Sequence, residues 1–309
     1  MRNRVRELVY SPLRAVRATL ARITAAVVER NPALEPWFVR TGRALARRSR
    51  FGGGLYWFAQ DSLMKRLRRT GHRYRSVTIR DFVVDVDVTD ASGRLSYFYS
   101  NPYRKAVVDA MITALRPGDV FLDVGAHLGY FSIIAARVVG PSGRVIAFEP
   151  HERLQSELRA LITRNQVERI VEIVPFAVAE READCTLYTS DGSEAHTTID
   201  PERSPVKGLV KFRPATVVRV TSLDRWLEGR PALASRVRCI KIDVQGAESR
   251  VVAGMGRTLL PGVTVLCDTS IGSEADLTLE RVGYRRHRLD RGVATYSNFL
   301  YVRPGPPPG

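Results

Sequence analysis

The sequence predicts an α/β domain with a mainly parallel sheet, because short apolar runs and helix-like runs alternate along most of the chain. Residues 119–124 and 144–149 read as strands, and the runs that follow them, 130–139 and 151–165, read as helices. The alternation returns at 237–268. Such alternation places parallel strands in one sheet with helices on both faces. We therefore expect a doubly wound sheet.

Other segments are predicted around this sheet. Residues 82–88 alternate apolar and polar side chains, as in a half-buried strand, and a turn at 90–93 leads to the strand-like run RLSYFYS (94–100). These runs predict a β-hairpin that precedes the sheet. The run FGGGLYWF (51–58) predicts a hinge, and the proline-rich tail 304–309 is expected to be disordered.

Composition indicates a globular protein of the cytoplasm. The chain has 309 residues, of which 44% are hydrophobic and 26% charged. It contains neither an apolar run of about 18 residues, as a membrane span needs, nor a secretory signal at residues 1–10. Cys185, Cys239 and Cys267 show no close pairing and no metal-ligand spacing, which is typical of buried thiols in a reducing compartment.

The positive charge is concentrated at the start of the chain. Residues 1–80 hold 19 Lys and Arg against 4 Asp and Glu, a net charge of +15, and the remaining 29 basic and 28 acidic residues give +1. We interpret 1–80 as a basic, mainly helical arm. Its charge favours an anionic surface, either membrane or nucleic acid, or an anionic substrate. An arginine-rich solvated face explains the same charge equally well.

The arm contains an amphipathic segment at 13–29. Val16, Leu20, Ile23 and Val27 recur at helical spacing with arginines between them. We expect this stripe to pack against the protein itself. A basic amphipathic helix that lies on a membrane is the alternative, which would make the protein peripheral to a membrane, and a mitochondrial transit peptide ranks third.

The run DVFLDVGAHLGY (119–130) reads as a strand, a tight turn and the start of a helix. Asp123 ends the strand, and Gly125 and Gly129 occupy the turn, where glycine lets a ligand approach the backbone. The helix start favours a negative group. The spacing is not the dinucleotide fingerprint G-x-G-x-x-G, because an acid replaces the first glycine. Such an acid suits a ligand with an amine or a sulfonium, and S-adenosyl-L-methionine carries both.

Glu149 ends the next predicted strand, where a carboxylate can bind the two hydroxyls of a ribose. Together with Asp123, Gly125 and Gly129 it predicts a nucleoside site. The alternative is an ordinary strand–turn–helix with a solvated acid at each strand end.

Residues 183–220 break the alternation. Two strand-like pieces, CTLYTS and VVRVTS, flank a polar stretch that contains His196. A connection of this length is uncommon in a compact domain, so we interpret it as a variable functional loop or lid.

Five motifs in this order, DVGAHLGYFS, FEP, FAVA, TSLDRWL and KIDVQGAE, resemble the FkbM family of S-adenosylmethionine-dependent methyltransferases over about residues 100–270. The resemblance implies a seven-stranded, mostly parallel Rossmann-like sheet with one antiparallel strand, for which ATYSNFLYV (294–302) is the candidate. It also implies a methyltransferase domain at 81–303, counting the preceding hairpin, and methyl transfer to a hydroxyl of a small molecule, sugar or glycan.

The resemblance also assigns residues. It places five residues in the cofactor site: Asp123, Gly125, His127, Gly129 and Glu149. His127 stands in a position where the family usually has Asn. Asp243 matches the acid beside the transferred methyl and is our first candidate for catalysis. His196 is the second, and Glu248 matches the acid that closes the KIDVQGAE motif.

Two other functions remain open. The basic arm would suit a nucleic-acid methyltransferase, and the departures from the family at Gln245 and Cys267 would suit a non-catalytic scaffold with the same fold. Asp243 and Asp268 follow neighbouring strands, but no histidine joins them in sequence, so no metal is predicted.

Overall fold

The computed structural model describes residues 19–48, 50–100, 103–190, 193–290 and 296–304. Sequence-based expectations for 1–18, including Val16 of the amphipathic segment, and for the tail beyond 304 lie outside the described residues. No helix in the described ranges is long and apolar enough to cross a membrane.

Two compact units make up the chain. The first comprises Met1–Thr78 and Asp85–Tyr103, and the second comprises Ile79–Val84 and Arg104–Gly309.

The first unit is mainly helical. Its elements are α1 (19–30), a 3₁₀ turn (Pro32–Leu34), α2 (Glu35–Arg48), α3 (Arg50–Thr70) and α4 (Ala91–Tyr99). Phe38, Tyr56 and Phe98 form an aromatic core, with ring centroids 5.4 Å apart for Phe38 and Tyr56 and 6.4 Å apart for Tyr56 and Phe98. The hydroxyl of Tyr56 donates to the carbonyl of Phe98 at 3.0 Å, so the core has no unpaired phenol.

The predicted hairpin is wrong in its second strand. β1 (Tyr74–Ile79) and β2 (Phe82–Asp87) form a two-stranded sheet, while RLSYFYS, except for Ser100, lies in α4. The side chain of Asp90 accepts a hydrogen bond from the N–H of Ser92 and caps this helix. Arg94 and Phe98, four residues apart, lie one turn apart on the buried side of the helix.

The predicted hinge at 51–58 is also wrong, because α3 runs through it as one helix. Each glycine costs a helix about 1 kcal/mol. Tyr56, Leu63 and Leu67 are buried at helical spacing, and their burial offsets that cost.

The apolar stripe on α1 does not pack on the protein as we expected. Leu20, Ile23 and Val27 are exposed, whereas Ala21 and Ala25, on the opposite face, are fully buried. The small side chains allow close packing there. An ion pair between Glu29 and Arg66 of α3 (2.5 Å) holds the helix in this rotation.

The second unit contains the predicted sheet, and the fold class is confirmed. Its seven strands lie in the order β12-β13-β11-β10-β3-β4-β5. Their bounds are β3 (Val120–Val124), β4 (Arg144–Phe148), β5 (Val171–Val174), β10 (Val237–Ile242), β11 (Thr264–Ser270), β12 (Arg285–Arg288) and β13 (Tyr296–Val302). Only β13 runs antiparallel to its neighbours, as predicted for ATYSNFLYV within the described part of that run.

Helices connect these strands: α5 (Lys105–Ala114), α6 (Tyr130–Val139), α7 (Glu152–Arg164), α8 (Leu223–Glu228), α9 (Pro231–Ala234), α10 (Glu248–Ala253) and α11 (Glu274–Arg281). All five residues of β3 are buried. Leu122, Ile240 and Val265, from adjacent strands, pack with Trp226 of α8 and Val251 of α10 in one apolar core. A buried central sheet of this kind has rigid strand ends, where loops can position polar groups.

The stretch 183–220, expected as a loop, instead contains most of a second sheet. β6 (Ala177–Val178), β7 (Ala183–Ser190), β8 (Ser193–Thr198) and β9 (Phe212–Thr221) pair in the order β6-β9-β7-β8. The strand-like pieces CTLYTS and VVRVTS fall in β7 and, except for the last residue, in β9. Leu187, Val218 and Val220 form a small core of their own, which explains why a polar sequence can be ordered here.

Gly125→Ala should destabilise the second unit. Gly125 has φ +79°, and a Cβ added to it would lie 2.1 Å from the carbonyl oxygen of Asp243. Positive φ alone costs an L-residue about 1–2 kcal/mol, and the backbone clash adds to it. Gly118→Ala is the matched control, since its φ is +92° but its Cβ would meet only Ser142 Oγ at 3.7 Å. Urea unfolding should show the larger loss for Gly125→Ala. Equal losses would contradict the close approach.

Candidate functional site

Asp123 lies at the end of β3 with no exposed surface. Its Oδ1 accepts from Lys241 Nζ at 2.9 Å and its Oδ2 accepts from Ser132 Oγ at 2.6 Å. Lys241 Nζ also donates to the carbonyl of Gly125 at 3.0 Å. The structure therefore places Asp123 inside the sheet, where it fixes the turn that follows β3. Its contact with a cofactor stays a prediction.

Lys241 was missed by the sequence analysis. Burial alone would lower the pKa of its ammonium, but Asp123 and then Asp243 raise it above the ordinary value. The available signal was a lysine within the apolar strand RCIKID, because a charge in a buried strand needs a partner.

Glu149 follows β4 and is also buried. Its Oε2 accepts from the N–H of His127 at 2.8 Å and its Oε1 from the N–H of His151 at 3.0 Å. Burial raises the pKa of Glu149, while the two N–H groups and the nearby histidines oppose that shift. His127 has φ 53°, and Gly129, which caps α6, has φ 86°. The structure thus brings together four of the five predicted cofactor residues at the β3–α6 turn: Gly125, His127, Gly129 and Glu149.

Asp243 and Asp268 share one arginine. Arg104, at the start of α5, pairs through Nη1 with Asp243 Oδ2 at 2.9 Å and through Nη2 with Asp268 Oδ2 at 2.8 Å. Its Nη1 also donates to Asn298 Oδ1 at 2.9 Å. These residues line a pocket with Lys241 at the ends of β10 and β11. Arg104 lies 139 residues before Asp243, so no local motif could have predicted it.

The two carboxylates have pKa values displaced in opposite directions. Burial raises the pKa of Asp243, but Arg104 and Lys241 outweigh burial and bring it below the ordinary value. Burial, followed by repulsion from Asp243, raises the pKa of Asp268 to about 6 despite Arg104. A carboxylate pair with separated pKa values is typical of sites that divide the roles of charge and proton transfer.

Gln245 joins the two predicted catalytic residues. Its Nε2 donates to Asp243 Oδ1 at 2.7 Å, and its Oε1 lies 3.3 Å from His196 Nδ1 on β8. Gln245 adopts φ 57°, a left-handed conformation that aims its side chain at both. From the sequence, Gln245 was identified only as a departure from the family, whereas the structure places it between Asp243 and His196.

Glu248 holds the loop that carries Asp243. Its carboxylate accepts from the N–H groups of Val244 and Gly246, each at 3.0 Å. Gly246 has φ +120°, and a Cβ there would lie 2.7 Å from the backbone of Arg203 and Ser204. The segment between β8 and β9 therefore packs directly on this loop. Within the described residues, no three His, Cys, Asp or Glu side chains are grouped so as to hold a metal ion.

Comparison with known proteins decides the family. The model of the methyltransferase FkbM domain matches residues 123–285, more than half of the chain. The chain belongs to the FkbM methyltransferase family. This confirms the resemblance seen in the sequence, and the match contains Glu149, Asp243 and their neighbouring motifs.

Two curated relatives and one solved structure are similar to this FkbM chain. AMB antimetabolite synthetase AmbE of Pseudomonas aeruginosa is 28% identical, over 66% of this chain and 12% of the synthetase. Methyltransferase 1 of Beauveria bassiana is 27% identical, over 50% of this chain and 67% of that protein. The crystal structure of Methyltransferase FkbM from Methylobacillus flagellatus KT aligns with a TM-score of 0.40 and 15% identity, over 90% of this chain and 60% of that one.

Lys241→Met should destabilise this FkbM chain strongly, because it leaves the Asp123 carboxylate buried without a counter-charge. Breaking a buried pair in this way costs about 3–5 kcal/mol. Lys207→Met is the control, since Lys207 and Glu202 form a pair 2.6 Å long whose side chains are 58% and 78% exposed. An exposed pair contributes at most about 1 kcal/mol. If urea unfolding gave similar losses for both variants, the buried pair would not be the stabilising element.

Asp268→Asn should raise the melting temperature above pH 6. The folded-state pKa of about 6 exceeds that of an unfolded aspartate, near 4. Between these values the folded protein retains a proton that the unfolded chain has lost, so the free energy of unfolding falls as the pH rises. The amide cannot ionise, so the variant does not lose this free energy of unfolding. Each kcal/mol that it retains raises the melting temperature by about 2–4 °C.

Asp276→Asn is the control with the opposite sign. Burial raises the pKa of Asp276, but the Gly272 N–H, Tyr301 and Arg286 lower it below the ordinary value. Its ionised form therefore stabilises the fold above the ordinary pKa, and the amide should lower the melting temperature at neutral pH. Calorimetric scans from pH 4 to pH 8 test both variants. An Asp268→Asn protein that melts below wild type at pH 7.5 would exclude the raised pKa.

Proposed function

We propose that this chain transfers a methyl group from S-adenosyl-L-methionine to a hydroxyl of a small molecule, sugar or glycan. The observation that carries the proposal is a single edge of the sheet. There Glu149 holds the β3–α6 turn, and the neighbouring ends of β10 and β11 present Asp243 and Asp268. In open α/β sheets ligands bind outside the carboxyl ends of the strands.

The residues at this edge fit the cofactor. Each Glu149 oxygen accepts one backbone N–H and retains a lone pair for a ribose hydroxyl. His151 Nδ1, two residues later, is buried without a hydrogen-bond partner, which suits a polar ligand atom. Bound there, the cofactor would supply an electrophilic methyl on a positively charged sulfur, so that the leaving group comes with the donor.

Asp243, which follows β10, and Asp268, within β11, would orient the acceptor and take its proton. Arg104 keeps Asp243 ionised, and Gln245 fixes the direction of the carboxylate, so Asp243 is suited to align a hydroxyl. Asp268, with a pKa of about 6, is better matched than Asp243 to accept a proton at neutral pH. His196, held near Gln245, would complete the acceptor side. General-base help of this kind is worth about two to four powers of ten in rate.

A small acceptor agrees with the charge of the chain outside residues 1–80. There 29 basic residues balance 28 acidic ones, whereas a polynucleotide substrate favours a basic groove. One relative carries the name of an antimetabolite synthetase, which also favours a small molecule. The chain spans only 12% of that synthetase, so the agreement concerns the matched domain alone.

Glu149→Gln should weaken cofactor binding. Calorimetric titration of wild type with S-adenosylmethionine and with its demethylated product should give dissociation constants near the micromolar range, about −8 kcal/mol. The amide removes a charged acceptor worth about 1.5–3 kcal/mol, a loss of at least tenfold. Glu152→Gln is the matched control, because Glu152 is an exposed acid in the first turn of α7. Unchanged binding by Glu149→Gln would remove the proposed ribose contact.

Transfer itself is tested with methyl-labelled cofactor. Labelled product should appear with hydroxylated small molecules or glycans and not with RNA, and Asp243→Asn should lower kcat while the cofactor still binds. Label in RNA alone would favour the nucleic-acid methyltransferase. Cofactor binding with no transfer to any acceptor class would favour the non-catalytic scaffold.

A further inference from the structure

Helix α1 presents an apolar face to solvent. Leu20, Ile23 and Val27 are 48%, 57% and 46% exposed. Their spacing of three and four residues places them on one side of the helix. Ala21 and Ala25 lie on the other side and are fully buried, so the exposed face is not a consequence of poor packing. A row of large apolar side chains left in water marks an interaction surface.

The next segment continues the same pattern. Leu34 and Trp37 are 41% and 65% exposed, although Phe38 beside them is buried. An exposed tryptophan, with an apolar ring and a polar N–H, is the side chain typical of the membrane–water interface. The consecutive elements α1 and α2 thus both expose apolar groups.

Exposed arginines accompany these groups. Arg22, Arg30 and Arg40 are all exposed, within a part of the chain, residues 1–80, whose net charge is +15. Basic residues beside an apolar helical face are the signature of segments that lie in the interface of anionic membranes. Each such arginine gains from the negative surface potential. We name this set the basic apolar face: Leu20, Arg22, Ile23, Val27, Arg30, Leu34, Trp37 and Arg40.

We propose that the basic apolar face docks the protein on an anionic lipid surface. RNA would satisfy the arginines, but its phosphates give nothing to Leu20, Ile23 and Val27, whose burial requires an apolar phase. The proposed docking is peripheral, through exposed side chains that enter the interface of one leaflet. This inference goes beyond the proposed methyl transfer and involves other residues.

Vesicle co-sedimentation of the full chain tests the apolar part. Phosphatidylcholine vesicles with added phosphatidylglycerol should bind the protein, and pure phosphatidylcholine vesicles should bind it much less. Leu20→Asn with Ile23→Asn should reduce partitioning about tenfold, since both side chains insert into the acyl boundary. The matched control is Leu260→Asn with Leu277→Asn, two leucines of the second unit that are 51% and 48% exposed. That pair should leave binding unchanged.

The charged part has its own variants. Arg22→Gln with Arg30→Gln should weaken binding about tenfold and reduce its dependence on salt. Arg159→Gln with Arg169→Gln, which removes the same charge from exposed positions of the second unit, should not. Circular dichroism melts verify that every variant is folded.

Three outcomes would overturn the proposal. The first is equal partitioning by Leu20→Asn/Ile23→Asn and its control, and the second is equal binding to neutral and anionic vesicles. The third is absence of vesicle binding together with salt-sensitive RNA binding, which would assign the face to nucleic acid. Loss of methyl transfer with vesicle binding intact would bear only on the proposed function.

Discussion

The ion pair between Lys241 and Asp123 is the constraint on which the rest of the site depends. The two residues are direct partners in the pairing of β10 with β3, and both are buried. Charges at this depth are costly unless they are paired and fully bonded. Lys241 meets that requirement by also bonding the Gly125 carbonyl, which ties the turn after β3 to β10. Gly125, which has no Cβ, can then lie against the Asp243 carbonyl. One ion pair therefore positions both the β3–α6 turn and the loop that carries Asp243.

A second shared charge organises the acceptor side. Arg104 serves Asp243 and Asp268 at once. Arg104 and Lys241 together keep Asp243 ionised, while at Asp268 burial and the repulsion of Asp243 outweigh Arg104. Since Arg104 lies equally close to both carboxylates, the second cation, Lys241, on the side of Asp243 gives the two side chains different proton affinities. Gln245 donates a hydrogen bond to the Asp243 carboxylate, and Glu248 accepts one from the Gly246 N–H in the same loop. Contacts within the protein, and not solvent, therefore orient the Asp243 carboxylate.

Sequence patterns predicted an element correctly where the residues of that element alone decide which of its faces is buried. The strands that end in Asp123 and Glu149, and the strand before Asp243, were each predicted from an apolar run and lie in the sheet. The strand predicted for RLSYFYS was wrong because its Tyr and Phe residues favour a strand locally, whereas the cap at Asp90 and the burial of Phe98 stabilise a helix. The hinge predicted from the glycines at 52–54 was wrong for a similar reason, because α3 is stabilised by a buried face whose residues lie further along the chain.

Short-range periodicity, and motifs whose residues are close in the chain, were enough to predict the family, the parallel sheet and the acids at its strand ends. The groups that those acids contact depend instead on long-range packing. Arg104 reaches Asp243 across 139 residues, and His196 reaches Gln245 across 49. The rotation of α1, which leaves Leu20 and Ile23 in solvent, was likewise set by packing and by an ion pair with α3. Contacts between distant segments depend on how the chain folds back on itself, and no local pattern encodes that.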